Sequence, residues 1–390
     1  MIRLGVFATH PVQYHVPIWR LLSRRKDMDV RVYYFSDENV RGTRNAEFNT
    51  DLKWDVDLLQ GYSHEFLSRD ADISNPRSVR LDDAETILKR SGFTWILIHG
   101  YTHTFERQLV RAARRLKISV LMLGEFADLG RRRSLLKRSI RDLYLKWFYG
   151  HVTAFCCIGE EARSHLERFG IPPHRLFRAP YSVDTALFER QVIAFKREEC
   201  RRELGISNDQ IVLLFSGKLI PRKAPLLIVD AVRKLRSSQR LVLAVIGDGP
   251  LRESLAAAAT PVLGERFRPF GFVNQSAIGK YMAAADAFIL PSECETWGLV
   301  VNEAMQFGLP AIVSRNVGCR RDLIVEGKTG YSFNSGASDE LAGILEQILA
   351  QPQLLRQMGE SAREHIKAFT SEASAEGVAA ALGMKAASLA

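Results

Sequence analysis

Two things are scarce in this 390-residue chain: cysteine and long apolar runs. No run of roughly eighteen uninterrupted apolar residues occurs, so no membrane-spanning helix is expected. The five cysteines (Cys156, Cys157, Cys200, Cys294 and Cys319) are odd in number and lack metal-ligand spacing. This argues against a disulfide scaffold and for reduced, mostly buried thiols. A secretory leader is also missing from the pattern. The opening Met1-Ile2-Arg3-Leu4-Gly5-Val6-Phe7-Ala8 reads as a strand, and His10-Pro11 stands where an apolar leader would continue. The expected location is the cytoplasm, extending to the inner face of the membrane. Repeats and low-complexity tracts are absent. What is present is ordinary globular usage, 46% hydrophobic and 25% charged, in a length that suits two cores better than one.

The net charge of +10 is uneven. Residues 101–150 hold twelve Lys or Arg against four Asp or Glu. Such an excess favours an anionic partner: a phosphate, a nucleic acid or an acidic membrane surface.

Apolar, strand-like runs alternate with helical patterns. Strands are expected at residues 2–9, 30–35, 94–99, 120–123 and 152–158, then at 211–216, 241–246, 267–270, 287–290 and 311–314. Helices are expected between them, as at 106–116, 135–148 and 224–236. Near-continuous apolar strands separated by helices predict parallel sheets covered on both faces. The alternation breaks at Pro180-Tyr181-Ser182-Val183-Asp184, which reads as an interdomain linker with a fresh helix at about 193–204. The expected fold is α/β: two Rossmann-like, doubly wound domains facing across a cleft. Residues 1–182 form the first domain, 183–368 the second, and 369–390 a terminal helix packing back on the first. Residues 36–61 interrupt the pattern as a long polar stretch containing Trp54. It is either a functional loop or a surface insertion.

In doubly wound sheets, ligands bind beyond the carboxyl ends of the strands. The run at 211–216 ends in Gly217-Lys218-Leu219-Ile220-Pro221-Arg222-Lys223, a turn followed by cations suited to phosphate. The run at 241–246 ends in Gly247-Asp248-Gly249-Pro250, a common tight turn. The run at 287–290 leads through Glu295-Thr296-Trp297-Gly298 into a helix, where free backbone N–H groups suit an anion. Glu295 and Glu303 flank that helix start, and a carboxylate there can accept vicinal hydroxyls. Each motif alone also has a purely structural reading: a solvated basic loop, or a helix-terminal acid favoured by the dipole.

Taken together, the ordered set resembles the family 4 retaining glycosyltransferases, which have the GT-B architecture. The set is Phe215-Ser216-Gly217-Lys218, Lys223, Gly247-Asp248-Gly249-Pro250, Phe270-Gly271-Phe272-Val273, Asp286, Pro291-Ser292 and Glu295-x7-Glu303. It closes with Gly308-Leu309-Pro310, Gly318 and Glu326-Gly327-Lys328-Thr329-Gly330. The first half matches more loosely, through Ile98-His99-Gly100-Tyr101 and the linker. Two positions depart from the family. Thr9-His10-Pro11-Val12-Gln13-Tyr14 replaces a glycine-rich loop, and Lys218 stands where arginine is usual, with a weaker bidentate phosphate grip.

The resemblance implies transfer of a hexosyl or related sugar, with retention, from a nucleotide diphosphate sugar to a glycan, lipid-linked or small-molecule acceptor, as in polysaccharide biosynthesis. It implies the catalytic set His99, Lys218, Lys223 and Glu295. It also implies a donor-binding set of Gly217, Gly247, Phe272, Val273, Gly298, Leu299, Val300 and Glu303. His10, Gln13, Tyr14 and Trp54 are expected on the acceptor side. No cofactor and no metal are expected: the Asp-x-Asp pairs at 27/29, 55/57 and 70/72 lack the glycine-rich strand setting of a metal site. An epimerase or a phosphorylase on the same fold is one rival. A non-enzymatic protein binding anions or nucleic acid is the other, although aromatic-and-basic nucleic-acid motifs are absent. Finally, Leu136, Ile140, Leu143, Tyr144 and Trp147 recur at helical spacing, and that face is expected in the core. The basic segment Arg131-Arg132-Arg133-Ser134-Leu135-Leu136-Lys137-Arg138 that opens this helix reads as solvated charge or as a contact for an anionic membrane; the second is the expectation.

Overall fold

The computed structural model describes residues 1–45, 50–52, 54–69, 71–126 and 134–384. Two parallel sheets organise them. In spatial order the first sheet runs Ser63–Phe66, Met28–Tyr34, Ile2–Ala8, Trp95–Ile98, Ser119–Gly124, Ala154–Cys157 and Leu176–Arg178. The second runs Phe267–Gly271, Leu241–Ile246, Ile211–Ser216, Ala287–Leu290, Ala311–Ser314 and Gly330–Phe333. Helices cover both, so the central strands are buried along their whole length, as in Ile211–Ser216 and Leu241–Ile246.

The strand order fixes where a ligand can sit. Each sheet starts at an inner strand, grows to one side, then returns and grows to the other. The switch falls between Ile2–Ala8 and Trp95–Ile98 in the first sheet, and between Ile211–Ser216 and Ala287–Leu290 in the second. Connections leave such a point in opposite directions and open a crevice at the strand ends. The loops at 9–14 and 99–103 therefore lie at one switch, and those at 217–223 and 291–298 at the other.

The core strands lie where the apolar runs placed them, to within one or two residues. Three short strands carried no such run: Ser63–Phe66, Leu176–Arg178 and Gly330–Phe333. All three are sheet edges, buried on one side and therefore free to be short and partly polar. Other expectations need correction. The helix after the linker begins at Thr185, not near 193, because the Asp184 side chain caps it by accepting from the Leu187 amide at 3.0 Å; a second helix, Arg197–Glu203, follows. The stretch 36–61 is not structureless. It holds the short helix Glu38–Arg41 and an antiparallel pair, Thr43–Asn45 with Thr50–Leu52.

The helix Leu135–Gly150 is the largest correction. Its buried residues are Leu145, Phe148 and Tyr149, whereas Leu136, Ile140, Leu143 and Trp147 are exposed, by 72%, 63%, 73% and 48%. The helix has more than one apolar stripe, and periodicity does not say which one the core takes. The Arg131–Arg133 run lies outside the described residues. Among the described residues no helix is long and apolar enough to cross a membrane. The five cysteines are free thiols, four of them buried.

The last helix, Ser371–Leu382, packs on the first sheet. Gly377 lies so close to Leu176–Arg178 that a Cβ there would stand 2.0 Å from the Arg178 carbonyl oxygen. Ser371 donates to the Val183 carbonyl at 3.0 Å, and the Ser374 hydroxyl lies 3.2 Å from that of Ser182. The linker is thus gripped by the terminal helix.

Candidate active site

Glycines shape the floor of the cleft. Gly247 has φ 132°, and a Cβ there would lie 1.9 Å from the Gly217 carbonyl oxygen. Only glycine lets these two strand ends touch. Gly298 adopts φ 100° in the left-handed region and caps the helix Leu299–Gln306. That helix points its N-terminus, and the positive end of its dipole, at the same space.

The cavity over this floor has a volume of about 290 Å³. It brings together Lys218, Lys223, Glu295 and Glu303, the strand-end residues Gly217 and Gly247, Phe272 and Val273, and Gly298, Leu299 and Val300. Arg222 lines it as well. Lys223 donates to Glu295, the two side chains forming an ion pair that is mostly shielded from solvent. Glu303, only 2% exposed, accepts from the Tyr14 hydroxyl at 2.9 Å and from Gln275 Nε2 at 3.1 Å through one oxygen. Burial pushes its carboxyl up to about 7, and these two donors oppose that rise.

The opposite domain closes the cavity with Tyr14, Trp54 and Glu125. Gln13 donates to Gln275 at 3.1 Å, and the Ser276 amide donates to Asp55 at 3.2 Å. The loop replacing the glycine-rich one therefore reaches across the cleft, as does the segment around Trp54. Tyr14 and Trp54, expected on the acceptor side, line the cavity of Lys218 and Glu303, and Gln13 lines a neighbouring one. His10 lines none of the cavities described here; its ring nitrogen lies 2.9 Å from the Thr9 hydroxyl, and burial lowers its pKa to about 4.

His99 lies in a second cavity, of about 330 Å³, on the first domain's side. Its ring stacks on His15 at 4.5 Å. Burial drives its pKa down to about 4, so the imidazole is neutral, and its buried Nε2 has no hydrogen-bond partner in the described structure. Glu125 lines both cavities. It accepts from the Thr296 hydroxyl and stands beside Tyr181. Surrounding protein raises its carboxyl pKa, and the nearby Glu295 charge adds to the rise.

His15 and Glu125 escaped the sequence reading. Glu125 obeys the same rule as the residues that were found: it follows directly on the strand Ser119–Gly124. His15 is one residue beyond the loop singled out. Asp286 has a structural part, held by Arg197 and by buried Arg201 and accepting from the Val212 amide at 2.7 Å. The Asp-x-Asp pairs are similarly occupied: Asp27 binds Arg25, Asp55 binds Ser276, Asp57 accepts from the Leu59 amide and Asp72 from the Ser74 amide, while Asp70 lies outside the described residues.

Two doubly wound domains meet at their switch points, with cations, a helix N-terminus and two carboxylates around one cavity, an arrangement of two Rossmann-like halves facing across a cleft. Residues 196–365 match the family model of group 1 glycosyl transferases. The D-inositol 3-phosphate glycosyltransferase of Geodermatophilus obscurus is 31% identical over 235 residues, 57% of this chain and 50% of that protein. This chain spans about half the length of the curated relatives it matches. Among solved structures, a glycosyltransferase from Rickettsia africae superposes with TM-score 0.73 at 13% identity, over 98% of this chain and 97% of that one. Anabaena Alr3699/HepE, solved with UDP and glucose, superposes with TM-score 0.70 at 15% identity, over 99% and 100%. Residues 196–365 are thus similar to the group 1 glycosyl transferases, and the two-domain fold is the GT-B fold.

Proposed function

We propose that this protein is a metal-independent, retaining glycosyltransferase. It moves a sugar from a nucleotide diphosphate sugar to a glycan, lipid-linked or small-molecule acceptor, on the cytoplasmic side of a membrane. One observation carries the reading: Lys218, Lys223, Glu295, Glu303 and the N-terminus of Leu299–Gln306 converge on one cavity at the sheet's switch point. The likeness to the Anabaena protein solved with UDP and glucose supports a nucleotide-sugar donor.

The chemistry follows from where charge grows. When the glycosidic bond to the diphosphate breaks, negative charge builds on the leaving oxygens. Lys218, Lys223 and the amides near Gly298 are fixed donors aimed at that charge, which stabilises the transition state more than the ground state. Glu303 accepts the ribose hydroxyls, and Glu295 those of the sugar. Glu303 already uses one oxygen for Tyr14, so the ribose takes the other oxygen or displaces the tyrosine. The acceptor enters the second cavity past His15 and His99. Glu125, at the junction, orients its attacking hydroxyl, and the departing phosphate takes the proton. The boundaries at 182/183 and 368/369 make the first domain acceptor-side and the second donor-side, with the terminal helix returning to the first.

The test is slow hydrolysis of nucleotide sugars by the enzyme in EDTA, with the released sugar followed by proton NMR before it mutarotates. One nucleotide sugar should be cleaved, and the first sugar to appear should keep the donor's anomeric configuration. Inverted product, or cleavage only with added metal, contradicts the reading. Conversion of donor without release of nucleoside diphosphate would favour an epimerase.

A further inference from the structure

The exposed stripe on Leu135–Gly150 asks for a partner. Leu136, Ile140, Leu143 and Trp147 are spaced by four, three and four residues, so they form one line along the helix. Scattered apolar side chains on a surface are ordinary; four large ones in line are not. The opposite face is spent on the core through Leu145, Phe148 and Tyr149. The stripe is therefore a second apolar face with nothing of this chain described over it.

Beside the stripe runs a groove of about 370 Å³ between Leu135–Gly150 and the helix Thr104–Leu116. Its walls are Arg107, Arg111, Arg114 and Arg115, with Trp147 and His151 on the near side. Arg107, Arg111 and Arg114 follow one another at helical spacing. Arg107 is anchored on the carbonyls of Tyr101 and Thr102, at 3.1 and 2.7 Å. Arg114 lies 2.7 Å from the His151 ring. The nearby acids are few: Glu85 pairs with Lys89 and Arg115, and Asp142 pairs with Arg138 and Arg141. Lys137 and Lys146 add exposed charge on the helix itself.

From this juxtaposition we infer that the face formed by Leu135–Gly150 and Thr104–Leu116 docks on an anionic lipid bilayer. The apolar stripe enters the headgroup boundary, and the arginine groove receives lipid phosphates. Charge complementarity selects this occupant. A bilayer surface offers apolar chains and a dense sheet of phosphates side by side, and the protein presents both counterparts on one face. Trp147 stands between them, the position an amphipathic ring takes at a membrane interface. The helix is about 24 Å long, enough to lie along the surface and too short to cross it. The docking face overlaps the basic segment 131–138 expected from the sequence at Leu136 and Lys137, adds the arginine groove on Thr104–Leu116, and does not depend on Arg131–Arg133.

The test is co-sedimentation of the full chain with vesicles of phosphatidylcholine alone and with about 30% phosphatidylglycerol, the anionic lipid supplying the surface potential. The wild type should partition at least about tenfold more strongly onto the anionic vesicles and lose that excess in high salt. Two double variants separate the two components: Leu143→Ser with Trp147→Ser, and Arg111→Ala with Arg114→Ala. Each should weaken binding about tenfold or more. Unchanged melting temperature and unchanged nucleotide affinity should accompany both, so loss of docking is distinct from unfolding and from failure of the glycosyl-transfer reading. The proposal is overturned if the wild type ignores anionic vesicles or if both variants bind like the wild type. It is equally overturned if light scattering shows a dimer that the Leu143→Ser, Trp147→Ser variant dissociates, since a second copy would then own the stripe.

Discussion

Glu303 is a buried carboxylate that accepts from two donors through a single oxygen and leaves the other free of both. Its raised pKa has a consequence for stability. The unfolded carboxyl titrates near its ordinary value of 4.5 and burial pushes the folded one up to about 7, so between those values the folded state holds the proton more tightly. Folding stability from this group is therefore full below about pH 4.5 and declines as pH rises towards 7. Glu303→Gln removes that decline. The variant's melting temperature relative to wild type should rise between pH 5 and pH 8, and a difference that stays flat would contradict the assignment. Lys223 supplies a kinetic prediction. Lys223→Met should lower donor turnover on the order of 10²–10³, the usual effect of deleting one fixed donor to a developing anion. A loss of donor affinity with turnover unchanged would instead mark a ground-state contact. Glu303 and Lys223 were legible because their motifs carry a fixed order along the chain. Glu125 was not, because a lone carboxylate after a strand has no pattern of its own; only the fold shows that it lies between two cavities.

Elements were legible in proportion to how deeply they are buried. The strands at 211–216, 241–246, 287–290 and 311–314 read directly, since burial on both faces leaves an uninterrupted apolar run. The edge strands Ser63–Phe66 and Leu176–Arg178 did not, since one open side admits polar residues. The helix Leu135–Gly150 shows the matching limit for helices: its period was right, and the face was wrong. At the other end of the chain, Ser371–Leu382 depends on the absence of a side chain at Gly377. Gly377→Val would drive a Cβ into the Arg178 carbonyl. It should destabilise the protein by about 2–4 kcal/mol, combining overpacking with a β-branched residue on a tight contact. Denaturant unfolding measures this, and a change under about 0.5 kcal/mol would mean that the terminal helix is not tightly seated.

Across the whole molecule, the polar contacts between the two domains include Tyr14 with Glu303, Gln13 with Gln275, Asp55 with Ser276, Glu125 with Thr296, the Glu160 amide with Asp322, Arg321 with Glu161 and Ser164, and Asn302 with the Tyr181 carbonyl. Tyr14, Gln13 and Asp55 come from the loop at 9–14 and the stretch at 36–61. Contacts of this kind are invisible to periodicity, which reports what a residue does within its own element. Polar contacts of this kind can break and re-form when domains move relative to each other. Tyr14→Phe combined with Gln13→Ala should enlarge the radius of gyration measured by small-angle scattering, and saturating nucleotide should reverse the change. Identical scattering from wild type and variant would show that these bridges do not hold the cleft closed.

Calorimetric titration reads out whether the cavity between Lys218 and Glu303 binds a nucleoside diphosphate. UDP, GDP and ADP are titrated separately into the full chain in EDTA, then into Glu303→Ala. The account predicts that one of the three binds clearly and that the substitution weakens it at least about tenfold, as expected when a charged acceptor to ribose hydroxyls is removed. No binding by any of the three, or binding that ignores Glu303→Ala, would contradict it.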